Sequence, residues 1–122
     1  TAIAKQPAAE CILHTHSGGN TVLSRKETSG KLRLSGYEML KGLTGVKTHQ
    51  HEEIVPIFDN AQDMVPLAKK VSKLLKDAPR MHGFLLRGHG LYTWGTSLAD
   101  AKRHVEIFEF LFECEARMRS WA

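Results

Sequence analysis

The alternation of apolar and polar positions divides the chain into short strand-like runs and two helical stretches. Residues 10–15 (Glu-Cys-Ile-Leu-His-Thr) have an apolar centre and the length of a buried strand. Residues 17–20 (Ser-Gly-Gly-Asn) read as a turn or the start of a helix. Positions 21–30 mix Lys and Arg with Ser, Thr and Gly, which predicts a surface loop. A short strand is expected at 31–34. One or two helical turns follow at 37–42, ended by Gly42. Positions 45–52 are polar and rich in histidine. The run 53–58 carries Ile54, Val55, Pro56 and Ile57 and reads as a strand. Because proline lacks an N–H, that strand is expected at a sheet edge or to end early.

Between 64 and 76 the period changes. Met64, Leu67, Ala68, Val71, Leu74 and Leu75 recur at the three-and-four spacing of one helix face, with Lys69, Lys70, Lys73 and Lys76 on the other. Asn60 or Asp63 would cap this helix, and Ala78-Pro79 would close it. Residues 83–86 (Gly-Phe-Leu-Leu) read as a fully buried strand, 87–90 as a tight turn, and 91–94 as a second strand. Gly95-Thr96-Ser97 then leads into a long helix running to about residue 120, with Ser97 and Asp100 as a capping pair. Strands and helices alternate with no repeat, low-complexity tract or linker, so the class is mixed α and β around a sheet.

Composition narrows the class. The 122 residues suit one domain; they are 42% hydrophobic, enough for a core, and 25% charged. No apolar run approaches the roughly 20 residues of a spanning helix. Residues 1–9 lack the apolar core of a signal peptide. The two cysteines, Cys11 and Cys114, could form one disulfide, but without an export signal they are expected reduced and buried in a cytoplasmic protein. The net charge of +4 comes from Lys and Arg spread along the chain, with no nucleic-acid motif. It suits a small phosphorylated substrate as well as anything larger.

Chemistry enters with the histidines. His14-Thr15-His16 on a strand would place two imidazoles on one face, able to grip one ion. Zinc favours four ligands, and a catalytic zinc takes three from the protein and leaves one position open. His89, between Gly88 and Gly90 at the end of a buried strand, is the candidate third ligand, because the glycines permit a sharp turn and close approach. His49-Gln50-His51 has the same spacing but lies in a polar stretch and reads as solvated loop histidines. His82 and His104 read as a strand-edge and a helix-surface histidine. Glu38 is the carboxylate best placed for acid–base work, although the residues alone favour a solvated helix glutamate. Arg25, Lys26, Lys31 and Arg33 read as a solvated face. Trp94, Tyr92, Phe108 and Phe112 read as core.

The segments Ile12-Leu13-His14-Thr15-His16-Ser17 and Arg87-Gly88-His89-Gly90-Leu91-Tyr92-Thr93-Trp94-Gly95 together resemble the class II aldolase/adducin superfamily. Tyr37-Glu38-Met39-Leu40-Lys41-Gly42, Val55-Pro56-Ile57 through to Asn60, and Ala101-Lys102 in the long helix extend the resemblance over positions 9–118. It implies an α/β fold with three layers, α/β/α, around a mixed, mostly antiparallel sheet. It also implies that His14, His16 and His89 ligate one zinc ion per subunit and that Glu38 is the catalytic acid/base. The Glu38 segment is similar to the branch that acts in methionine salvage. Those members are zinc-dependent lyases that dehydrate 5-methylthioribulose 1-phosphate to the 2,3-diketo-5-methylthiopentyl 1-phosphate. A sugar-phosphate aldolase or epimerase of the same superfamily, or a non-catalytic adducin-like interaction module, are the alternatives. The resemblance further implies a cytoplasmic homotetramer with neither nucleic-acid nor membrane partners. Residues 1–122 are expected to form the C-terminal portion of a single domain whose substrate-phosphate loops lie further upstream.

Overall fold

The computed structural model describes residues 10–48, 50–60, 63–77 and 80–120. Five strands form one sheet: β1 (Cys11–Thr15), β2 (Lys31–Leu34), β3 (Glu53–Phe58), β4 (Gly83–Leu86) and β5 (Gly90–Gly95). Their spatial order is β1-β5-β4-β3-β2. Only β3 and β4 run parallel, with Ile57 opposite Leu85. The β1–β5, β4–β5 and β2–β3 pairs are antiparallel. The sheet is thus mixed and mostly antiparallel, as the resemblance implied. The parallel pair is joined by the crossover helix α2 (Met64–Asp77), the connection that parallel strands require.

Both faces of the sheet are covered, and the side-chain period of two sorts the strands accordingly. Leu85 and Leu91 point to one side with Val55 and Ile57, into a core shared with Leu23 of α1 (Gly18–Lys26) and Ile107, Phe108, Leu111 and Phe112 of α3 (Leu98–Ser120). Phe84, Leu86 and Trp94 point to the other, against Leu67, Val71 and Leu75 of α2. Those three α2 residues lie on the apolar stripe the sequence displayed, while Ala68 is exposed. Asp63 caps the helix, its Oδ1 accepting from the Val65 N–H at 3.1 Å. Ser97 does the same for α3 by accepting from the Asp100 N–H at 3.1 Å. Ala78 and Pro79, expected to close α2, lie outside the described residues.

Two of the expected elements differ. The surface loop expected at 21–30 is instead largely helix α1. Its start is legible afterwards in Ser17, whose Oγ accepts from the Asn20 N–H at 3.1 Å. Its buried face, however, is Asn20, Leu23 and Ser24, too polar to register as an apolar stripe. Likewise β3, expected at an edge or cut short by Pro56, lies between β2 and β4 and runs its full length. Ile57 donates to the Gly30 carbonyl at 2.8 Å, so the neighbouring Pro56 nitrogen faces away from the β2 side. The parallel ladder to β4 begins only at Ile57, so the missing N–H falls where no ladder bond is formed.

Between β2 and β3 a 3-10 helix, Glu38–Gly42, replaces the helical turns expected there. Leu40 and Leu43 anchor it in the α3-side core. A side chain at Gly42 would run into the Cδ1 methyl of Ile107, which would have to turn aside. The remaining aromatic expectations hold for Trp94, Phe108 and Phe112, which are buried; Tyr92 is half-buried. Cys11 and Cys114 are both free and only partly buried. None of the described helices is long and apolar enough to cross a membrane.

Candidate metal centre

The end of β1 and the hairpin between β4 and β5 meet at one corner of the sheet. Thr15 pairs with Leu91 and His14 with Tyr92, so the chain leaving β1 runs directly over the start of β5. The hairpin turn is closed by the His89 N–H donating to the Leu86 carbonyl at 2.9 Å. Gly88, at φ +69°, occupies the left-handed position this turn demands. Gly90 answers a different need. A Cβ there would collide with the Thr15 carbonyl oxygen and stand 2.9 Å from His14 Cε1. The Gly-His-Gly pattern therefore combines one glycine for backbone hand and one for close approach.

That corner brings His14, His16 and His89 together. Their ring centroids lie 4.4 Å apart for His14–His16 and 5.1 Å apart for each pair with His89. One nitrogen from each ring lies within 4.8 Å of the others, a set that could hold a metal ion. His16 stands just beyond the last β1 residue, so the tweezer arrangement survives although the strand has ended.

The hydrogen bonds settle which nitrogens are offered. His14 Nδ1 lies 2.7 Å from the Leu91 carbonyl and His16 Nδ1 lies 2.6 Å from the His89 carbonyl. A carbonyl only accepts, so both Nδ1 atoms carry the proton and both Nε2 atoms present lone pairs. His14 Nε2 is buried and has no hydrogen-bond partner among the described residues. Buried polar atoms are rarely left so, and a cation among three imidazoles would satisfy this one. Burial, opposed by the bond to the Leu91 carbonyl and reinforced by His16 and His89, holds the His14 pKa below the ordinary histidine value. A neutral imidazole is the form that binds metal. Tyr92 stacks on His14 with centroids 4.0 Å apart and fixes its ring plane.

A polar bracket behind the site escaped sequence reading. Glu109 of α3 accepts from Asn20 Nδ2 at 2.9 Å and from Thr15 Oγ1 at 3.2 Å. Asn20 is fully buried, so these bonds pin the β1–α1 corner that spaces His14 from His16. On the hairpin side, Ser24 Oγ accepts from the Gly88 N–H at 2.9 Å, and Arg87 donates to the Glu27 carbonyl at 2.7 Å. Ser24 and Glu109 carry no periodic or motif signal, and the motif segments that hold Thr15, Arg87 and Gly88 do not display these partners.

Glu38 is not part of the three-histidine cluster. It opens the 3-10 helix, with its side chain 69% exposed and ion-paired to Lys41. Arg25, Lys26, Lys31 and Arg33 are exposed, as a solvated face should be. His82 and His104 are not the surface groups expected. His104 is 2% exposed on the inner side of α3, and His82, just ahead of β4, is 9% exposed. Their burial was hidden because a single histidine in a helix or strand pattern looks the same on either face. Of the pair His49 and His51, His49 lies outside the described residues; His51 is half-buried against Glu53 at 2.7 Å.

A family profile described as Class II Aldolase and Adducin N-terminal domain matches residues 1–116. The chain belongs to the class II aldolase and adducin family. Among curated members of this family, it is 51% identical over 115 residues to a methylthioribulose-1-phosphate dehydratase of Pseudomonas syringae pv. syringae (strain B728a), covering 94% of this chain and 56% of the relative. It is 51% identical over 113 residues to the enzyme of the same name from Yersinia enterocolitica serotype O:8 / biotype 1B, covering 93% of this chain and 54% of the relative. The chain therefore spans about half the length of these relatives. In fold it is similar to L-fuculose-1-phosphate aldolase from Thermus thermophilus, with a TM-score of 0.67 at 18% identity, covering 98% of this chain and 59% of that one. An aldolase II superfamily protein from Pseudomonas syringae gives a TM-score of 0.66 at 21% identity, covering 99% of this chain and 44% of that one. The family's class II aldolase fold is thus the fold of this chain.

Proposed function

We propose that this chain carries the metal centre and the acid–base residue of a zinc-dependent lyase that dehydrates 5-methylthioribulose 1-phosphate. The observation that carries the proposal is the convergence of His14, His16 and His89, with one buried ring nitrogen lacking a partner among the described residues. Identity of about half to relatives named as dehydratases supports dehydration over the family's other reactions.

The three imidazoles would hold the ion, and an all-nitrogen set with an open fourth position suits zinc. When bound, zinc supplies Lewis-acid polarisation of the ketose oxygens and so lowers the cost of removing the C3 proton. The protein's own part is positional and acid–base. Carbonyl bonds to Nδ1 of His14 and His16 keep both rings in the ligating tautomer before substrate arrives. Glu38 donates a proton to the C4 hydroxyl as it departs as water. The C3 proton passes to solvent, the C4 hydroxyl leaves with the Glu38 proton as water, and the enol that remains tautomerises to the diketone. In this reading the protein is a cytoplasmic homotetramer working in methionine salvage.

The test is a product assay on purified protein carrying this chain, with metal content measured alongside. The expected result is near-stoichiometric zinc, release of the 2,3-diketone, and a Glu38→Gln variant that keeps zinc but loses turnover. Carbon–carbon cleavage or epimerisation instead of the diketone would reassign the reaction within the family. Full turnover by Glu38→Gln would remove Glu38 from the chemistry.

A further inference from the structure

A second cluster of titratable groups lies outside the three-histidine corner. Glu53 of β3 is 3% exposed and accepts from two imidazoles: Oε2 lies 3.0 Å from His82 Nδ1 and Oε1 lies 2.7 Å from His51 Nε2. The other ring nitrogen of His82, Nε2, lies 2.6 Å from the Thr44 carbonyl oxygen. Both partners of His82 are acceptors, so both its nitrogens carry protons and the ring is an imidazolium. Burial opposes this charge, but the bond and charge of Glu53 and the Thr44 carbonyl outweigh it, and the His82 pKa is raised. His104 is the complement. Its Nδ1 donates to the Trp94 carbonyl at 2.7 Å, and its Nε2 accepts from the Thr44 N–H at 3.1 Å. It is therefore neutral, as burial first, together with His82 and Arg103, also dictates.

Thr44 is thus gripped at its carbonyl by His82 and at its amide by His104. Arg103 adds bonds to the Gly42 carbonyl at 2.8 Å and to Thr44 Oγ1 at 3.1 Å. At the other end of the same segment, Tyr37 donates to Glu115 at 2.8 Å. The 3-10 helix Glu38–Gly42 is held on both sides. Buried Leu40 and Leu43 already dock it on the core. A buried imidazolium–carboxylate pair is a costly way to add stability, since apolar packing of equal volume usually does as well. What the polar grip adds is direction, because it fixes a backbone position by two oriented bonds.

We infer that His82, with Glu53 behind it, and His104 are positioning residues that set the placement of Glu38 by clamping the backbone of Thr44. This rests on the acid–base role proposed for Glu38. Neither histidine touches substrate or metal in this scheme, and both act through the segment 38–44.

The test is a double-mutant cycle in purified protein carrying this chain. His82→Gln removes the charge of the ring, and His104→Phe removes the acceptor for the Thr44 amide; should one fail to fold, the other serves. In the Glu38 background each is expected to lower kcat by about tenfold or more, since a misplacement of about 1 Å can cost on the order of a hundredfold. KM and zinc content should stay within about twofold of the parent. In the Glu38→Gln background the same substitution should cause no further loss of the residual turnover, followed at high protein concentration, because its effect passes through that carboxylate. Equal losses in both backgrounds, or no loss in either, overturn the inference while leaving the role of Glu38 intact. Full turnover by Glu38→Gln alone overturns the role of Glu38 and the inference with it, and that result is visible before either histidine is changed.

Discussion

The carbonyl oxygen of His89 accepts a 2.6 Å hydrogen bond from Nδ1 of His16. His89 therefore serves the corner twice, offering its own ring and orienting the ring of a second candidate ligand through its backbone. Such coupling needs the β1 end and the hairpin to touch, and Gly90 is where they touch. A methyl group at Gly90 would meet the Thr15 carbonyl, His14 Cε1 and His16 Nδ1 together. Gly90→Ala is expected to lower zinc affinity by at least tenfold and to destabilise the fold by roughly 1–3 kcal/mol, the usual cost of overpacking. Chelator competition and thermal unfolding measure the two effects. Unchanged zinc affinity would show that the corner tolerates separation.

Histidine content alone does not identify the ligands, since two His-x-His pairs are present in the chain. His89→Ala should reduce bound zinc sharply in elemental analysis, because it removes one of three converging nitrogens. His51→Ala should retain it, because His51 is engaged with Glu53. Equal zinc loss in both variants would count against the three-histidine assignment.

The histidine corner was legible because its signals are local: His-x-His at a strand end, and Gly-His-Gly in a turn that needs a left-handed residue. The sheet core was legible for the same reason, since Leu85, Leu91, Val55 and Ile57 lie in plainly apolar runs. What stayed hidden has long-range causes. Helix α1 looks like a loop because the groups it buries, Asn20 and Ser24, find their partners on α3 and in the β4–β5 hairpin. Glu53 and His82 stand 29 positions apart, and Thr44 and His104 stand 60 apart. No window of sequence displays such pairs. Pro56 misled because the edge rule concerns ladder bonds, and only the register shows that none was required of it.

Asn20 tests whether the bracket behind the site matters. Its amide is fully buried and ties Glu109 to the β1–α1 corner. Asn20→Ala leaves Glu109 with one bond fewer and removes the bridge, at a cost of about 1–3 kcal/mol. If the bracket spaces His14 and His16, zinc affinity should also fall by about tenfold, as for other outer supports of metal ligands. A stability loss with unaltered zinc affinity would limit the bracket to a folding role.

The Glu53–His82 pair predicts a particular pH dependence of stability. Burial raises the Glu53 pKa, but the bonds and charges of His82 and His51 lower it further, so it lies below the ordinary 4.5. His82 lies above the ordinary 6.5. A depressed carboxylate contributes stability that is present above its unfolded value and lost as pH falls through its folded value. A raised histidine contributes stability that is present below its unfolded value and lost as pH rises through its folded value. The two contributions overlap fully between the unfolded values of 4.5 and 6.5. Glu53→Gln removes both. Thermal unfolding of parent and variant across pH 4 to 9 should thus show the widest gap in melting temperature inside that window, closing toward either side. The comparison with the variant cancels the opposing effect of His14, whose depressed pKa favours folding at higher pH in both proteins. A gap independent of pH would mean that Glu53 and His82 do not face each other as a charged pair.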